Sequence, residues 1–179
     1  NSRPRTVSAD CDSEKWYTYG NTFNVAVLLW FEARANLSDF NHQNAKNTVQ
    51  KLRPVSQKAV DFYSGCLVAL ENFKRENIKI NFKVYDIGRD NAVLTTLLDD
   101  NAFNNVDMII GPSYKSQVSF LTSKNLDAPM ILPFVSDEAI LKRNPDIIML
   151  NPSKQDICNA IASYAKQTAK CNPIIVKGT

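Results

Sequence analysis

Short apolar runs alternate with stretches of helical periodicity along the chain, and this alternation strongly constrains the fold. The runs begin near residues 23, 80, 106, 128, 146 and 173. After the first gap they are separated by roughly two dozen residues, which is typical of strands joined by helices. Such connections place successive strands parallel with right-handed crossovers. The sequence therefore predicts an α/β fold, an open parallel sheet with flanking helices.

The first run and the segment after it differ sharply in character. Residues 23–31 (FNVAVLLWF) are apolar almost throughout, as expected of a strand buried on both faces. Residues 32–54 lose all periodicity and end at a proline, which predicts a long surface loop. From Ser56 the period becomes helical up to about residue 77. Ser56 is the expected N-cap of this helix, and Gly65 is expected to allow a close approach to the sheet.

The remaining elements follow in order along the chain. Strands are predicted at residues 80–86, 106–111, 129–134, 146–151 and 173–177, and helices at residues 91–98, 113–126, 136–142 and 153–170. In the last helix Ile157, Ile161, Tyr164 and Ala165 are expected to face inward. Residues 1–22 are polar and irregular, which predicts a linker or tail.

Composition and charge exclude several classes of function. The 179 residues fit one domain or little more, and a net charge of +3 is too mild to indicate nucleic-acid binding. The single histidine, His42, argues against a Ser/His/Asp triad. No stretch approaches the ~20 apolar residues of a membrane span. Neither a GxGxxG nor a GxxxxGK[ST] fingerprint is present, so no cofactor is predicted.

The turns at the carboxyl ends of the strands are the expected site, because ligands of open parallel sheets bind there. Residues 111–116 (GPSYKS) are the best candidate. Gly111 allows close backbone approach, and Ser113 and Ser116 bring hydroxyls and N–H groups to a helix start, which favours an anion. The alternative interpretation is that Ser113 serves only as the helix cap. The same two interpretations apply to Ser136, whereas Ser153 is expected to be a cap.

Asp86 and two aromatic residues complete this edge of the sheet. Asp86 ends the second strand, where it either holds a polar ligand group or a metal ion or is simply solvated. Glu32 is similarly placed after the first strand. Trp30 and Tyr114 either stack on a ligand or pack at the rim of the sheet.

The four cysteines, Cys11, Cys66, Cys158 and Cys171, match no zinc-binding spacing, and no metal site is predicted. Cys66 lies on the apolar face of its helix, where a buried free thiol is expected. Cys158 and Cys171 are separated by most of one helix, which is too far for a disulfide without a sharp return of the chain.

The order of these motifs resembles the first lobe of type I periplasmic-binding-protein-like domains, which are Rossmann-like or flavodoxin-like in fold. That group includes branched-chain amino-acid binding proteins and receptor ligand-binding regions. Residues 106–118 (VDMIIGPSYKSQV) resemble its IIGP turn, and residues 128–138 (APMILPFVSDE) resemble its next strand and serine turn. Within the group, the chain is most similar to envelope proteins of Bacteroidetes-type bacteria that carry LysM peptidoglycan-binding repeats.

The resemblance implies a domain organisation and a set of site residues. Residues 23–151 are expected to form the first lobe, and residues 152–179 the crossover and incomplete start of a second lobe, after the linker at residues 1–22. Ligand-binding positions carried over from the family are Ser113, Tyr114, Ser116, Phe134 and Ser136. The implied location is the periplasm or cell envelope.

Three functions remain open at this point. The first is a non-catalytic module that binds a small polar ligand, amino-acid-like or cell-wall-derived, at the strand-end cleft. The second is a protein–protein scaffold that regulates peptidoglycan synthesis with a cell-wall enzyme as partner, resembling the lipoprotein activators of penicillin-binding proteins. A cleft filled by Trp30, Tyr114 or Lys115 favours this alternative. The third is an enzyme of doubly wound fold, which the missing phosphate loop and the lack of a Cys/His arrangement disfavour.

Overall fold

The structure, a computed structural model, describes residues 22–43 and 51–168, apart from the side chains of residues 42 and 43. Within these ranges the strands are β1 (Thr22–Leu29), β2 (Lys79–Asp86), β3 (Met108–Ile110), β4 (Met130–Leu132) and β5 (Ile147–Met149). The helices are α1 (Ala33–Gln43), α2 (Pro54–Arg75), α3 (Ala92–Asp99), α4 (Lys115–Thr122), α5 (Glu138–Leu141) and α6 (Lys154–Thr168).

The five strands form one parallel sheet in the order β2-β1-β3-β4-β5. β1 therefore lies inside the sheet, and the chain moves from it to β2 on one side before crossing back to β3 on the other. The crevice between the carboxyl ends of β1 and β3 is the point at which the strand order reverses. The predicted α/β class with an open parallel sheet is confirmed.

Two apolar clusters, one on each face of the sheet, form the core. β1 contributes to both, because its side chains alternate between the faces. Val25, Val27 and Leu29 pack with α2 through Ala59. On the opposite face, β1 contributes buried side chains to a larger cluster with α3, α4 and α5: Ala26, Leu28, Leu94, Val118, Leu121 and Ile140. Helices therefore cover both faces, as the nearly continuous apolar sequence of β1 predicts.

β3, β4 and β5 are shorter than the predicted strands, with three residues each. Pro129 precedes β4 and Pro133 follows it, and neither residue has an N–H to donate to a neighbouring strand. Gly111 follows β3 with φ +96°, a left-handed conformation that ends the strand and favours glycine. Helix α4 is likewise shorter than the predicted helix.

The prediction of a surface loop over residues 32–54 is wrong, because α1 occupies Ala33–Gln43. The sequence just before α1 contains no recognisable N-cap residue. Asp86, which lies far away in the sequence at the end of β2, instead accepts hydrogen bonds from the N–H of the first helical residue, Ala33, and from those of Phe31 and Glu32 just before the helix. A cap supplied through tertiary structure leaves no local pattern.

Two expectations about α2 are also wrong. Ser56 is not the N-cap but lies inside the helix, where its Oγ accepts a hydrogen bond from Asn36 Nδ2 at 2.8 Å. The helix begins two residues earlier at Pro54, whose fixed φ suits a first helical position. Gly65 makes no close approach to the sheet, since a Cβ built on it would meet nothing within 4 Å.

α6 departs from expectation in its packing. Ile157, Ile161 and Tyr164 were expected to face inward, yet all three are exposed, and no residue of the helix is buried. Its first turn is nevertheless fixed, as predicted, by Ser153, whose Oγ accepts from Asp156 N at 3.0 Å. The apolar periodicity is present, but the described part of the chain offers α6 no surface to cover it.

Several predictions fall outside the described residues. These are the tail over residues 1–21, the strand at 173–177, the thiols of Cys11 and Cys171, and the side chain of His42. Over residues 22–43 and 51–168, no helix combines the length and apolar character needed to cross a bilayer.

Candidate functional site

The candidate site lies at the carboxyl ends of the strands, where the turns after β1, β2, β3 and β4 meet. Parallel pairing brings these turns to one edge of the sheet. Two of the predicted residues, Tyr114 and Phe134, lie here around Trp30, while Ser113 is buried at the base of the β3 turn. Ser116 and Ser136 are exposed.

Asp86 has a structural role at this edge. One carboxylate oxygen accepts hydrogen bonds from Phe31 N at 3.0 Å and Glu32 N at 3.2 Å, and the other accepts from Ala33 N at 2.9 Å. A negative carboxylate against the N–H groups of a helix start is favourable. Asp86 is therefore not the solvated strand end considered above, and its oxygens are engaged in holding α1 in place.

Glu32 is the centre of an ionic cluster beside Asp86. Its side chain is only 8% exposed and its backbone adopts a left-handed φ of +47°. One oxygen lies 2.8 Å from Arg89 Nε and the other 3.3 Å from Arg53 Nη1, and Arg53 also pairs with Asp39 at 2.7 Å. The carboxylates of Asp39 and Glu32 raise the pKa of the Arg53 guanidinium. The cluster ties together the starts of α1 and α2 and the turn after β2.

The turn after β3 is built on a close backbone contact. A Cβ at Gly111 would collide with the carbonyl oxygen of Leu28 on β1, which confirms the predicted close approach. The next residues carry the chain into α4, whose N-cap is Tyr114 with no side-chain cap bond. The interpretation of Ser113 as a helix cap is wrong. Ser113 is 6% exposed, and its Oγ is buried with no hydrogen-bond partner in the described segments.

Aromatic rings cover the strand ends. Trp30 stacks on Tyr114 with ring centroids 4.1 Å apart and planes inclined by 28°. Phe134, after β4, lies 6.1 Å from Trp30 and 5.2 Å from Phe62 of α2. Phe134 remains 37% exposed, so this aromatic surface faces solvent at its rim. Packing of the predicted aromatics against each other is what the structure shows.

An ion pair closes the rim on the β4 side. Lys115 at the start of α4 binds the carboxylate of Asp137, which also caps α5 by accepting from Ala139 N at 2.9 Å. The Lys115 ammonium and the Ala139 N–H together hold the pKa of Asp137 below its usual range. Asp137, not Ser136, therefore caps α5, while Ser136 is free of that structural role.

Gln117 is a site residue that sequence analysis missed. It lies in the first turn of α4 and is fully buried. Its Nε2 donates to Gly88 O at 3.2 Å and Asp90 O at 3.0 Å, which joins α4 to the turn after β2. Its Oε1 is buried and finds no hydrogen-bond partner among the residues that the structure describes. A glutamine in a short helix carries no sequence signal for such a position.

Three buried polar atoms at this edge therefore have no hydrogen-bond partner in the described part of the chain: Trp30 Nε1, Ser113 Oγ and Gln117 Oε1. Such atoms are uncommon in folded proteins, and each costs about 1–3 kcal/mol when left unsatisfied. Their position near the strand-end edge makes them candidates for ligand contact. Within residues 22–43 and 51–168, no group of three or more His, Cys, Asp or Glu side chains is arranged to hold a metal ion.

No family model and no curated protein matches the chain. The position of this edge in the fold and the chemistry of the side chains that meet there therefore indicate its function.

Proposed function

We propose that the protein is a non-catalytic binding module of the bacterial cell envelope or periplasm. It takes a small polar ligand, amino-acid-like or cell-wall-derived, at the carboxyl edge of the sheet. One observation carries this proposal: the Ser113 hydroxyl is buried beside the crevice between β1 and β3 and has no hydrogen-bond partner within residues 22–43 and 51–168. That crevice is where ligands of open parallel sheets bind. The sequence resemblance assigns ligand contact to the same residue.

The site residues have separate roles in this proposal. Ser113 and Ser116 offer hydroxyls from the turn after β3 and the first turn of α4, and Ser136 offers one after β4. Tyr114 and Phe134 supply flat apolar surface at the rim. Asp86 acts indirectly as a positioning residue, because it fixes the start of α1 beside the crevice.

A binding role fits the side chains at this edge better than catalysis. The turns at residues 30–32, 87–91, 111–114 and 133–137 contain neither histidine nor cysteine. The carboxylates of Glu32 and Asp137 are held in ion pairs with Arg89 and Lys115, so both already have structural partners. These features support a module that holds its ligand without transforming it.

A thermal-shift screen tests this proposal. The protein is heated with free amino acids, muropeptides or small sugars, alongside a Ser113→Ala/Ser116→Ala variant and a matched Ser119→Ala control on the exposed side of α4. A ligand-dependent rise in melting temperature that persists in the control and is lost in the double variant is expected. A flat response across the whole panel would remove the small-ligand proposal.

The second candidate is a protein–protein scaffold that binds a cell-wall enzyme through the same edge. The stack of Trp30 on Tyr114, continued by Phe134, favours it, because exposed aromatic clusters are enriched at protein interfaces. Phe134→Ser should abolish capture of a peptidoglycan-synthesising enzyme in a pull-down, whereas Ser113→Ala should leave capture intact. The reverse pattern, or capture that neither change affects, would count against a scaffold at this edge.

A further inference from the structure

The three unpartnered atoms at the carboxyl edge differ in hydrogen-bonding character. The Trp30 indole N–H can only donate, the Gln117 amide oxygen can only accept, and the Ser113 hydroxyl can do both. All three groups are uncharged. A ligand that satisfies them together needs an acceptor and a donor of its own.

The fold brings these atoms around the end of β1. The register of β1 with β3 pairs Val27 with Ile110, and Trp30 and Ser113 each follow three residues later in the sequence, beyond the ends of the two strands. The stacking of Trp30 on Tyr114 confirms that the two chain segments remain adjacent there. Gln117 reaches the same region from the first turn of α4, since it bonds the turn that follows β2.

The charged side chains in the turns at this edge already have partners. After β1, Glu32 pairs with two arginines, one of which is Arg89 in the turn after β2. Asp90 accepts from Ala92 N at 2.9 Å, and Asp137 pairs with Lys115. The turns at residues 111–114 and 150–153 contain no charged side chain. The edge therefore offers a ligand unsatisfied neutral groups but no unpaired charge in these turns.

We propose that the crevice recognises an uncharged amide group, such as an N-acyl or carboxamide group, and not a free carboxylate or ammonium. This rests on the proposed function. The amide oxygen accepts from Trp30 Nε1 and Ser113 Oγ, and the amide N–H donates to Gln117 Oε1. A carboxylate would place lone pairs against Gln117 Oε1, and an ammonium would leave the Trp30 N–H unpaired. In this proposal, ligand binding includes rotation of the Tyr114 ring away from Trp30, on which it stacks.

The experiment compares matched neutral and charged probes by NMR on the full chain labelled with ¹⁵N. N-acetyl-D-glucosamine is compared with D-glucosamine, and N-acetyl-D-alaninamide with D-alanine. The chain has two tryptophans, so the indole N–H peak of Trp30 is assigned with Trp30→Phe. At least one acetylated probe is expected to move this peak downfield in a saturable way, because the N–H gains an acceptor. Its charged counterpart is expected to bind at least tenfold more weakly.

Ser113→Ala separates binding from folding. The hydroxyl has no partner among the described residues, so its removal is expected to leave the melting temperature unchanged or raised. Affinity for the acetylated probe is expected to fall about tenfold, while Ser119→Ala binds as the unmodified protein does. Binding of only one acetylated probe, either N-acetyl-D-glucosamine or N-acetyl-D-alaninamide, supports the inference and identifies the source of the amide.

Two outcomes would overturn the inference, and they differ in what they leave standing. If the charged probes bind as tightly as the acetylated ones, or binding neither moves the Trp30 peak nor depends on Ser113, amide recognition here is wrong, while a small-ligand function survives. If no probe moves any peak, no amide-recognising site exists, and the thermal-shift screen then decides the proposed function separately.

Discussion

The carboxylate of Asp86 accepts a hydrogen bond from Ala33 N at 2.9 Å, although 53 residues separate them in the sequence. Asp86 ends β2, and Ala33 begins the helix that follows the neighbouring strand β1. The Asp86 side chain thus links the end of β2 to the helix that follows β1, at the edge that carries the candidate site. The start of α1 depends on a residue outside its own segment.

Replacement of Asp86 with alanine is expected to unravel the first turn of α1. The N–H groups of Phe31, Glu32 and Ala33 would lose their acceptor, at a cost of about 1–3 kcal/mol in the free energy of unfolding. Urea denaturation measures the loss, and hydrogen exchange should localise it to α1. Asp99→Ala, at the exposed end of α3, is the matched control. Equal stability of the two variants would contradict the capping role.

Two glycines are expected to respond to alanine in opposite directions. Gly111→Ala adds a Cβ that collides with Leu28 O at a φ of +96°, so a loss of several kcal/mol or a failure to fold is expected. Gly65→Ala adds a Cβ that points into open space at an exposed position of α2. About 1 kcal/mol of stabilisation is expected from the higher helix propensity of alanine. Thermal melts of both variants check this. A stable Gly111→Ala protein would mean that β1 and the β3 turn are not in contact as described.

The ion pair between Lys115 and Asp137 is expected to make the stability of the fold depend on pH in a defined direction. The pKa of Asp137 is lowered by Lys115 first and by the Ala139 N–H second. A lowered folded-state pKa means that this contribution to stability is present above the unfolded pKa of the carboxyl. The contribution is lost as pH falls through the folded-state pKa.

An NMR titration of the Asp137 side-chain carboxyl measures this pKa directly. Lys115→Met is expected to move it back up towards the ordinary value for aspartate, whereas Lys58→Met on the exposed side of α2 is expected to leave it in place. An unmoved Asp137 titration in Lys115→Met would show that the ion pair is not formed in solution.

Two thiols of the described chain are expected to differ in reactivity. Burial raises the pKa of Cys66, which lies on α2 and is half-buried and not fully buried as the sequence predicted, whereas Cys158 is exposed on α6. Because the thiolate is the reactive form, alkylation of Cys66 at pH 8 is expected to be several times slower. Peptide mass spectrometry after timed iodoacetamide treatment compares the two rates. The difference should vanish in guanidinium chloride; equal rates in the folded protein would mean that Cys66 is not shielded.

The elements that the sequence predicted correctly are those with a local signal. The apolar run of β1 and the helical period of α2 both reflect burial against neighbours that any α/β sheet supplies. Gly111 was also placed correctly, because only a residue without a Cβ fits its contact with Leu28. Parallel order then brought Ser113, Tyr114 and Phe134 to one edge without further information.

The features that sequence analysis missed depend on tertiary contacts. Helix α1 is stabilised at its start by Asp86, and Ser56 is turned from an expected cap into a partner of Asn36. Gln117 acquires its role only because α4 packs beside the turn after β2. The inward face expected for α6 failed for the converse reason, since apolar spacing shows what a helix could bury and not what lies beside it.

Helix α6 is held at its first turn and uncovered beyond it. Ser153 Oγ lies 2.6 Å from Glu138 Oε1 of α5, but Ile161 and Tyr164 further along are 63% and 70% exposed. The amide protons of its later turns are therefore expected to exchange with solvent through local fraying alone. Those of β1 are expected to exchange only when both core clusters open. The later turns of α6 and the strand β1 are therefore expected to have different opening free energies, although α6 follows β5 of the same sheet.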